Sequence, residues 1–216
     1  MVSLLHSHDE ILKFKKMKTL IIYNHPHEES FCSAIRDAVQ AGLVTGGHAY
    51  KIINLDADGF DPVMREKDLA AFVQGGRNDG REIEGIDPLA RSYMDKMRWA
   101  ERIVMIFPIW WMTMPAMTKG FIDKVIFPGM IYRMEGGKLI SMLSRLRQVV
   151  IITTMNTPAA IYESNFGNSL EGSLIKGTFN QIGIHDIRWI SLNMVKQVGD
   201  EKRWLWLDEI ENEFAL

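Results

Sequence analysis

Three stretches of the chain, Thr19–Tyr23, Arg102–Phe107 and Gln148–Thr153, are apolar almost without interruption, and a fourth, Tyr50–Leu55, is more mixed. Short unbroken apolar runs predict strands of a parallel sheet covered on both faces. A fifth run, Ile187–Leu192, is less pure and is expected near an edge. Between the runs the apolar spacing turns helical. Phe31, Ile35, Ala38 and Gly42 recur at steps of three and four behind Ser30, a good N-cap. Leu89, Tyr93, Met97 and Ala100 repeat the pattern from Pro88 to Trp99. Thr113 is expected to cap a helix with Pro115 in its first turn, where the missing N–H costs nothing. That helix should pass through Met117, Phe121 and Val125 to a Pro128-Gly129 turn, and Leu170–Ile182 and Glu201–Phe214 supply the last two.

Repeated alternation of strand and helix predicts an α/β fold, a doubly wound five-stranded parallel sheet. Right-handed crossovers then give the flavodoxin-like strand order 2-1-3-4-5. A six-stranded dinucleotide fold is the competitor, but no Gly-x-Gly-x-x-Gly follows the first strand. Residues 60–87, with Gly75-Gly-Arg-Asn-Asp-Gly-Arg81, read as a polar excursion after the second strand. Residues 17–216 form one domain on this reading. Residues 1–16 are an N-terminal extension or an added helix, for which Leu4, Leu5, Ile11, Leu12 and Phe14 give a partial apolar face.

Composition narrows the choice by exclusion. In 216 residues, 47% are hydrophobic and 24% charged, which excludes a disordered or collagen-like chain. No run approaches the ~20 apolar residues that span a bilayer. A net charge of −2 argues against a duplex DNA binder driven by counterion release. The start of the chain lacks the features of a signal peptide, and the single Cys32 cannot form an internal disulfide. The expected location is cytoplasmic.

In an open sheet of this order, ligands lie beyond the carboxyl ends of the strands where the order reverses. Three loops should meet there. The loop after the first strand, Asn24-His-Pro-His-Glu-Glu-Ser-Phe-Cys-Ser33, opens a helix whose free N–H groups could take a phosphate, with His25 and Ser30 beside it. It could equally be a capped helix with surface histidines, and Glu28 and Glu29 oppose an anion. No third ligand accompanies His25-x-His27, so no metal is expected. After the third strand, Phe107-Pro-Ile-Trp-Trp-Met-Thr-Met-Pro115 sets two indoles between prolines, suiting an aromatic ring or an interface. After the fourth, Thr153-Thr-Met-Asn-Thr-Pro158 offers uncharged donors to a ring edge, or makes a plain turn.

These segments, with Lys119-Gly-Phe-Ile-Asp123 and Pro128-Gly-Met-Ile-Tyr132, resemble the NAD(P)H:quinone oxidoreductase family of flavodoxin-like flavoproteins. The resemblance runs from about Met17 to about Phe179. It implies a homodimer holding FAD, or FMN in smaller relatives, and using NAD(P)H. It places His25 near the flavin phosphates, with Ser30, Phe31 and Cys32 wrapping the same region. Pro108, Ile109, Trp110, Trp111 and Met112 would run along the isoalloxazine, and Thr153, Thr154, Met155 and Asn156 would reach its pyrimidine edge. Tyr132 would line the partner's substrate pocket, and Tyr162 would serve as a catalytic hydroxyl near the reduced ring. The chain departs from the family pattern in places. Cys32 stands where many members have Asn, and Met155-Asn156 where many have Gly-Gly. Asn168 or Ser169 falls at a family histidine, and Met134 replaces a second pocket tyrosine.

The implied activity is hydride transfer from NAD(P)H through the flavin to a planar acceptor such as a quinone, nitroaromatic or azo compound, with Trp110, Trp111, Met130 and Tyr132 forming the slot. Two other functions fit the same fold: a flavin-binding regulatory subunit of a membrane transport system, and a flavodoxin-like electron carrier. Carriers are usually strongly acidic, and this chain is not. Lys119 and Asp123 share a helix face at a four-residue step and should pair.

Overall fold

The computed structural model describes residues 16–77 and 81–216. The expected helix or extension over residues 1–16 therefore lies almost wholly outside the described residues. Five parallel strands form the sheet: β1 (Lys18–Tyr23), β2 (Ala49–Asn54), β3 (Arg102–Pro108), β6 (Gln148–Thr154) and β7 (Ile187–Leu192). Their order is β2-β1-β3-β6-β7. This is the expected 2-1-3-4-5 order, renumbered because a two-stranded hairpin, β4 (Tyr132–Glu135) and β5 (Lys138–Ser141), intervenes in sequence. Ile187–Leu192 does lie at an edge, pairing among the described residues with β6 alone.

Period-two alternation divides the apolar runs between two cores. Ile21, Tyr23, Val104, Ile106, Val150 and Ile152 face α1 (Phe31–Thr45) and α6 (Asp200–Ala215). Leu20, Ile22, Ile103, Met105, Val149 and Ile151 face the other layer. That layer holds α3 (Pro88–Trp99), α4 (Ala116–Val125) and a π-helix, Glu171–Phe179. Helices α1 and α6 cross so closely that a Cβ on Gly42 would sit 2.3 Å from the Glu211 carbonyl oxygen. Only glycine permits that approach.

Several elements depart from the sequence reading. The polar excursion contains α2 (Glu66–Gly76), whose Asp68 side chain accepts from the Arg65 backbone N–H at 2.9 Å. Asp68 also pairs with Lys124 of α4 at 3.3 Å, both side chains being buried, and Lys124 donates to the Asp61 carbonyl at 3.1 Å. Helix α4 begins at Ala116 with Pro115 as its N-cap. Thr113 is not the cap, because its N–H and C=O close a turn with Trp110. A short α5 (Ala159–Phe166), ended by Gly167 at φ 62°, was not apparent from periodicity. The expected Leu170–Ile182 helix is wound wider, as a π-helix followed by a 3₁₀ turn, Asn180–Ile182. Its buried positions Leu174 and Phe179 are five residues apart, which suits the i→i−5 pattern. Lys119 and Asp123 pair as expected. No helix among the described residues is long and apolar enough to cross a membrane.

Candidate active site

The carboxyl ends of β1, β3, β6 and β7 surround a cleft of about 380 Å³, within the ~300–1,000 Å³ of small-molecule sites. His25 and Phe31 form one wall, Pro108, Ile109 and Trp110 a second, and Thr154, Met155 and Asn156 a third. The three loops singled out in the sequence therefore converge. Val195 and Lys196, from the loop after β7, complete the lining. Nothing in their local sequence marks them; the signal was topological, since β7 lies beside β6.

Ser30 caps α1 as predicted, its hydroxyl accepting from the Ser33 N–H at 3.2 Å. Glu28 does not stand over this helix start unopposed, because Arg36 draws it away at 3.2 Å while also holding Asp37 at 2.8 Å. His25 Nδ1 accepts from the His27 backbone N–H at 3.1 Å, which leaves Nε2–H as the donor of the neutral ring. Burial lowers the His25 pKa, partly offset by nearby Asp56. Its ring meets Trp110 edge-on at 6.0 Å. At the end of β1, Asn24 is buried; it donates to Asp56 at 2.7 Å and accepts from Thr118 at 2.8 Å. This relay ties the β1, β2 and α4 ends of the site together.

The Trp110–Thr113 segment is a two-residue turn closed by reciprocal backbone bonds of 2.9 and 3.1 Å. Its central residues, Trp111 and Met112, have φ of 49° and 63°. Positive φ at both centres is the mark of a type I′ turn, normally made with Asn or Gly. Here a tryptophan and a methionine hold it, at a cost of roughly 1–2 kcal/mol each. Among the described residues the Trp111 and Met112 N–H groups have no backbone acceptor. Trp110 is half exposed beside the cleft, whereas Trp111 is 96% exposed. Only Trp110 of the two indoles lines the cleft.

Three expected side chains lie beneath the cleft and not in it. Cys32 is buried, with Sγ 3.2 Å from Thr154 Oγ1, and burial raises its thiol pKa to about 11. Thr153 is buried and accepts from Trp189 Nε1 at 2.9 Å. Tyr162, expected to reach the reacting ring, is 2% exposed. Its hydroxyl donates to the Met112 carbonyl at 3.0 Å and accepts from the Leu170 N–H at 3.1 Å. Ser169 bonds both the Tyr162 hydroxyl and the same carbonyl. With its hydroxyl so engaged, Tyr162 supports the turn from below and does not face the cleft.

Tyr132 lies elsewhere, in a crevice of about 200 Å³ with Phe72, Ile122, Ile126 and Leu139, and burial raises its pKa. Beside it on α2, Leu69 and Val73 are half exposed. Met134, at the position of the second family tyrosine, is also half exposed.

The donors around the cleft fit a planar ring with a polar edge and an anionic tail. Unbonded amides sit by Trp110, helix N–H groups by Phe31, and a cation at Lys196. Comparison with known proteins points the same way. A family described as having a flavodoxin-like fold matches residues 17–212. An uncharacterised NAD(P)H oxidoreductase of Haemophilus influenzae is 27% identical over 188 residues, 87% of this chain and 89% of that protein. An FMN-dependent NADH:quinone oxidoreductase of Ruegeria pomeroyi is 25% identical over 166 residues, 75% and 81% of the two chains. Several other curated relatives are matched over about half of their own length. Among solved structures, Smu.1420 of Streptococcus mutans superposes with a TM-score of 0.76 at 28% identity, covering 92% of this chain and 99% of that one.

Proposed function

The chain belongs to the flavodoxin-like family that matches residues 17–212, and from that premise we propose that it is an NAD(P)H-dependent flavoenzyme that reduces a planar acceptor of the quinone class. The resemblance to NAD(P)H:quinone oxidoreductases is borne out by the family match and by relatives that include an NAD(P)H oxidoreductase and an NADH:quinone oxidoreductase. FMN is the flavin this reading favours over FAD, since the Ruegeria relative is FMN-dependent. The observation that carries the reading is the convergence of three sequence-distant loops on one cleft, with the half-exposed Trp110 indole on its wall and unbonded amides in the turn that follows it.

When bound, the flavin supplies hydride chemistry, accepting from reduced nicotinamide and passing the equivalent on. The chain's own residues bind and orient. Pro108, Ile109 and Trp110 offer an apolar face to the ring. The Trp111 and Met112 amides are donors for its edge, prealigned by the turn and so free of reorganisation cost. Thr154 and the Met155–Asn156 backbone border the opposite edge. Ser30, Phe31 and the neutral His25 serve the phosphate end. No side chain has to act as nucleophile. Tyr162 acts as a positioning residue through Met112.

On this reading the working unit is a homodimer in the cytoplasm. Trp111, bare in the single chain, is covered by the partner, and Tyr132 lines the partner's acceptor pocket.

The test is direct. The purified protein should be yellow, release FMN on denaturation, and bleach anaerobically on addition of NADH or NADPH, with colour restored by a soluble quinone. A colourless protein that takes up neither FMN nor FAD overturns the reading.

A further inference from the structure

The outward sides of α1 and α6 enclose a second groove, of about 480 Å³, which shares no lining residue with the cleft. Ala34, Ala38 and Ala41 line it from α1, and Trp204 and Leu207 from α6. Trp204 is 69% exposed, so the described residues leave most of this indole uncovered. The remaining lining is acidic, and no lysine or arginine contributes to it. Asp37 is held by Arg36 at 2.8 Å, whereas Asp208 and Glu211 have no cationic partner among the described residues. An amphipathic trough of this kind suits a segment that is both apolar and basic.

The chain enters the fold at the end of this same helix pair. The Met17 N–H donates to His48 Nδ1 at 3.1 Å, and a Cβ on Gly47 would lie 3.2 Å from Lys16 Nζ. A Cβ on Gly46 would sit 2.6 Å from the Ala215 carbonyl oxygen, so residues 46–48 lie where the last turns of α1 and α6 meet. Glu211, one turn before Ala215, is at the near end of the groove. In the sequence 15 residues precede Lys16. Even at a rise of 1.5 Å per residue they reach about 22 Å, as far as the 15-residue α1 runs. Ile11-Leu12-Lys13-Phe14-Lys15-Lys16 sets three apolar residues among three lysines with no acid, the complement of the trough. Tethering supplies an effective concentration in the millimolar range, so a weak site is enough.

We propose that residues 1–15, which lie outside the described residues, dock in the α1–α6 groove of their own chain, with apolar side chains on Trp204 and Leu207 and lysines beside Asp208 and Glu211. The segment then braces the two helices that cover one face of the sheet. This stands apart from the flavin reading, which concerns other residues.

The experiment places a nitroxide spin label on Ser7→Cys in the full chain, Cys32 being buried and shielded from the reagent. Amide signals of residues 34–41 and the Trp204 indole N–H should lose intensity to the label. Signals around Ser92 should keep theirs. Ser92 is an exposed position on α3, seven residues before Trp99, whose ring lies 5.9 Å from Lys18 Nζ, so the tether alone would favour it over Ala34. Asp208→Lys with Glu211→Lys should restore the groove signals, and adding Lys13→Glu with Lys15→Glu should bring the loss back. Rising salt should weaken the effect in the unsubstituted groove. Equal loss at the groove and at α3, or no loss at either, overturns the assignment. So does loss that appears when labelled chains are mixed with unlabelled isotope-enriched ones, since a second copy would then be the occupant.

Discussion

The Tyr162 hydroxyl donates to the Met112 carbonyl at 3.0 Å, linking α5 to the second residue of a strained turn. The same oxygen accepts from the buried Leu170 N–H. One phenol thus joins the turn on the cleft wall to the start of the π-helix. Tyr162→Phe keeps the ring and removes these bonds together with the contact to Ser169. Leaving a buried N–H unsatisfied costs about 1–3 kcal/mol, so urea denaturation should show a loss of that size, with weaker flavin binding. An unchanged midpoint would mean that the phenol is not the support described.

Strain in the turn can be read separately. Trp111 is almost fully exposed and sits at φ 49°, so its replacement removes little burial within the chain. Trp111→Asn, a residue that tolerates this region, should stabilise the flavin-free monomer by about 1 kcal/mol. In a cross-chain site the same change should weaken dimerisation, measured by sedimentation. Raised stability with unaltered association would place Trp111 outside the interface.

The crossing of α1 and α6 allows no side chain at Gly42. Gly42→Ala should force the helices apart at about 1–3 kcal/mol, the usual cost of overpacking. Thermal unfolding of the variant gives the number directly.

Cys32 makes alkaline stability predictable in sign. Its pKa rises from 9.0 to about 11 in the fold because burial disfavours the thiolate. Between those values the unfolded chain has lost the proton and the folded chain keeps it. The contribution of Cys32 is therefore whole below pH 9 and lost as pH rises towards about 11. The difference in unfolding free energy between wild type and Cys32→Ala should fall across that window. A flat difference would show that the thiol is not sealed from solvent.

Arg203 holds the loop carrying Val195 and Lys196 through two carbonyls. Arg203→Ala should speed amide exchange between Met194 and Val198, with exchange in the β3 and β6 cores unchanged. Uniform acceleration across the protein would instead indicate a global loss of stability.

How far the chain could be read in advance followed from what each element spends its side chains on. Strands β1, β3 and β6 are buried on both faces, so their apolar runs stood out, and the Trp110, His25 and Thr154 loops could be placed from strand order alone. Helix α2 was hidden because Gly75 and Gly76 end it and its Asp68 is spent as cap and ion pair. The hairpin β4–β5 did carry a signal, Gly136-Gly137 between two short runs, both glycines at positive φ. Tyr162 illustrates a different limit. Its spacing placed it after the right strand, but whether its hydroxyl faced the ligand or the Met112 carbonyl depended on packing that no linear pattern records. Lys196 lay in an unremarkable polar stretch, and only its neighbours in space gave it meaning.

The Asp68–Lys124 pair reaches beyond the place where it sits. Separating α2 from α4 would leave a buried ammonium and a buried carboxylate without their opposite charge, so the two helices have no inexpensive way to part. The joint between α2 and α4 is therefore among the costlier places to open in this layer.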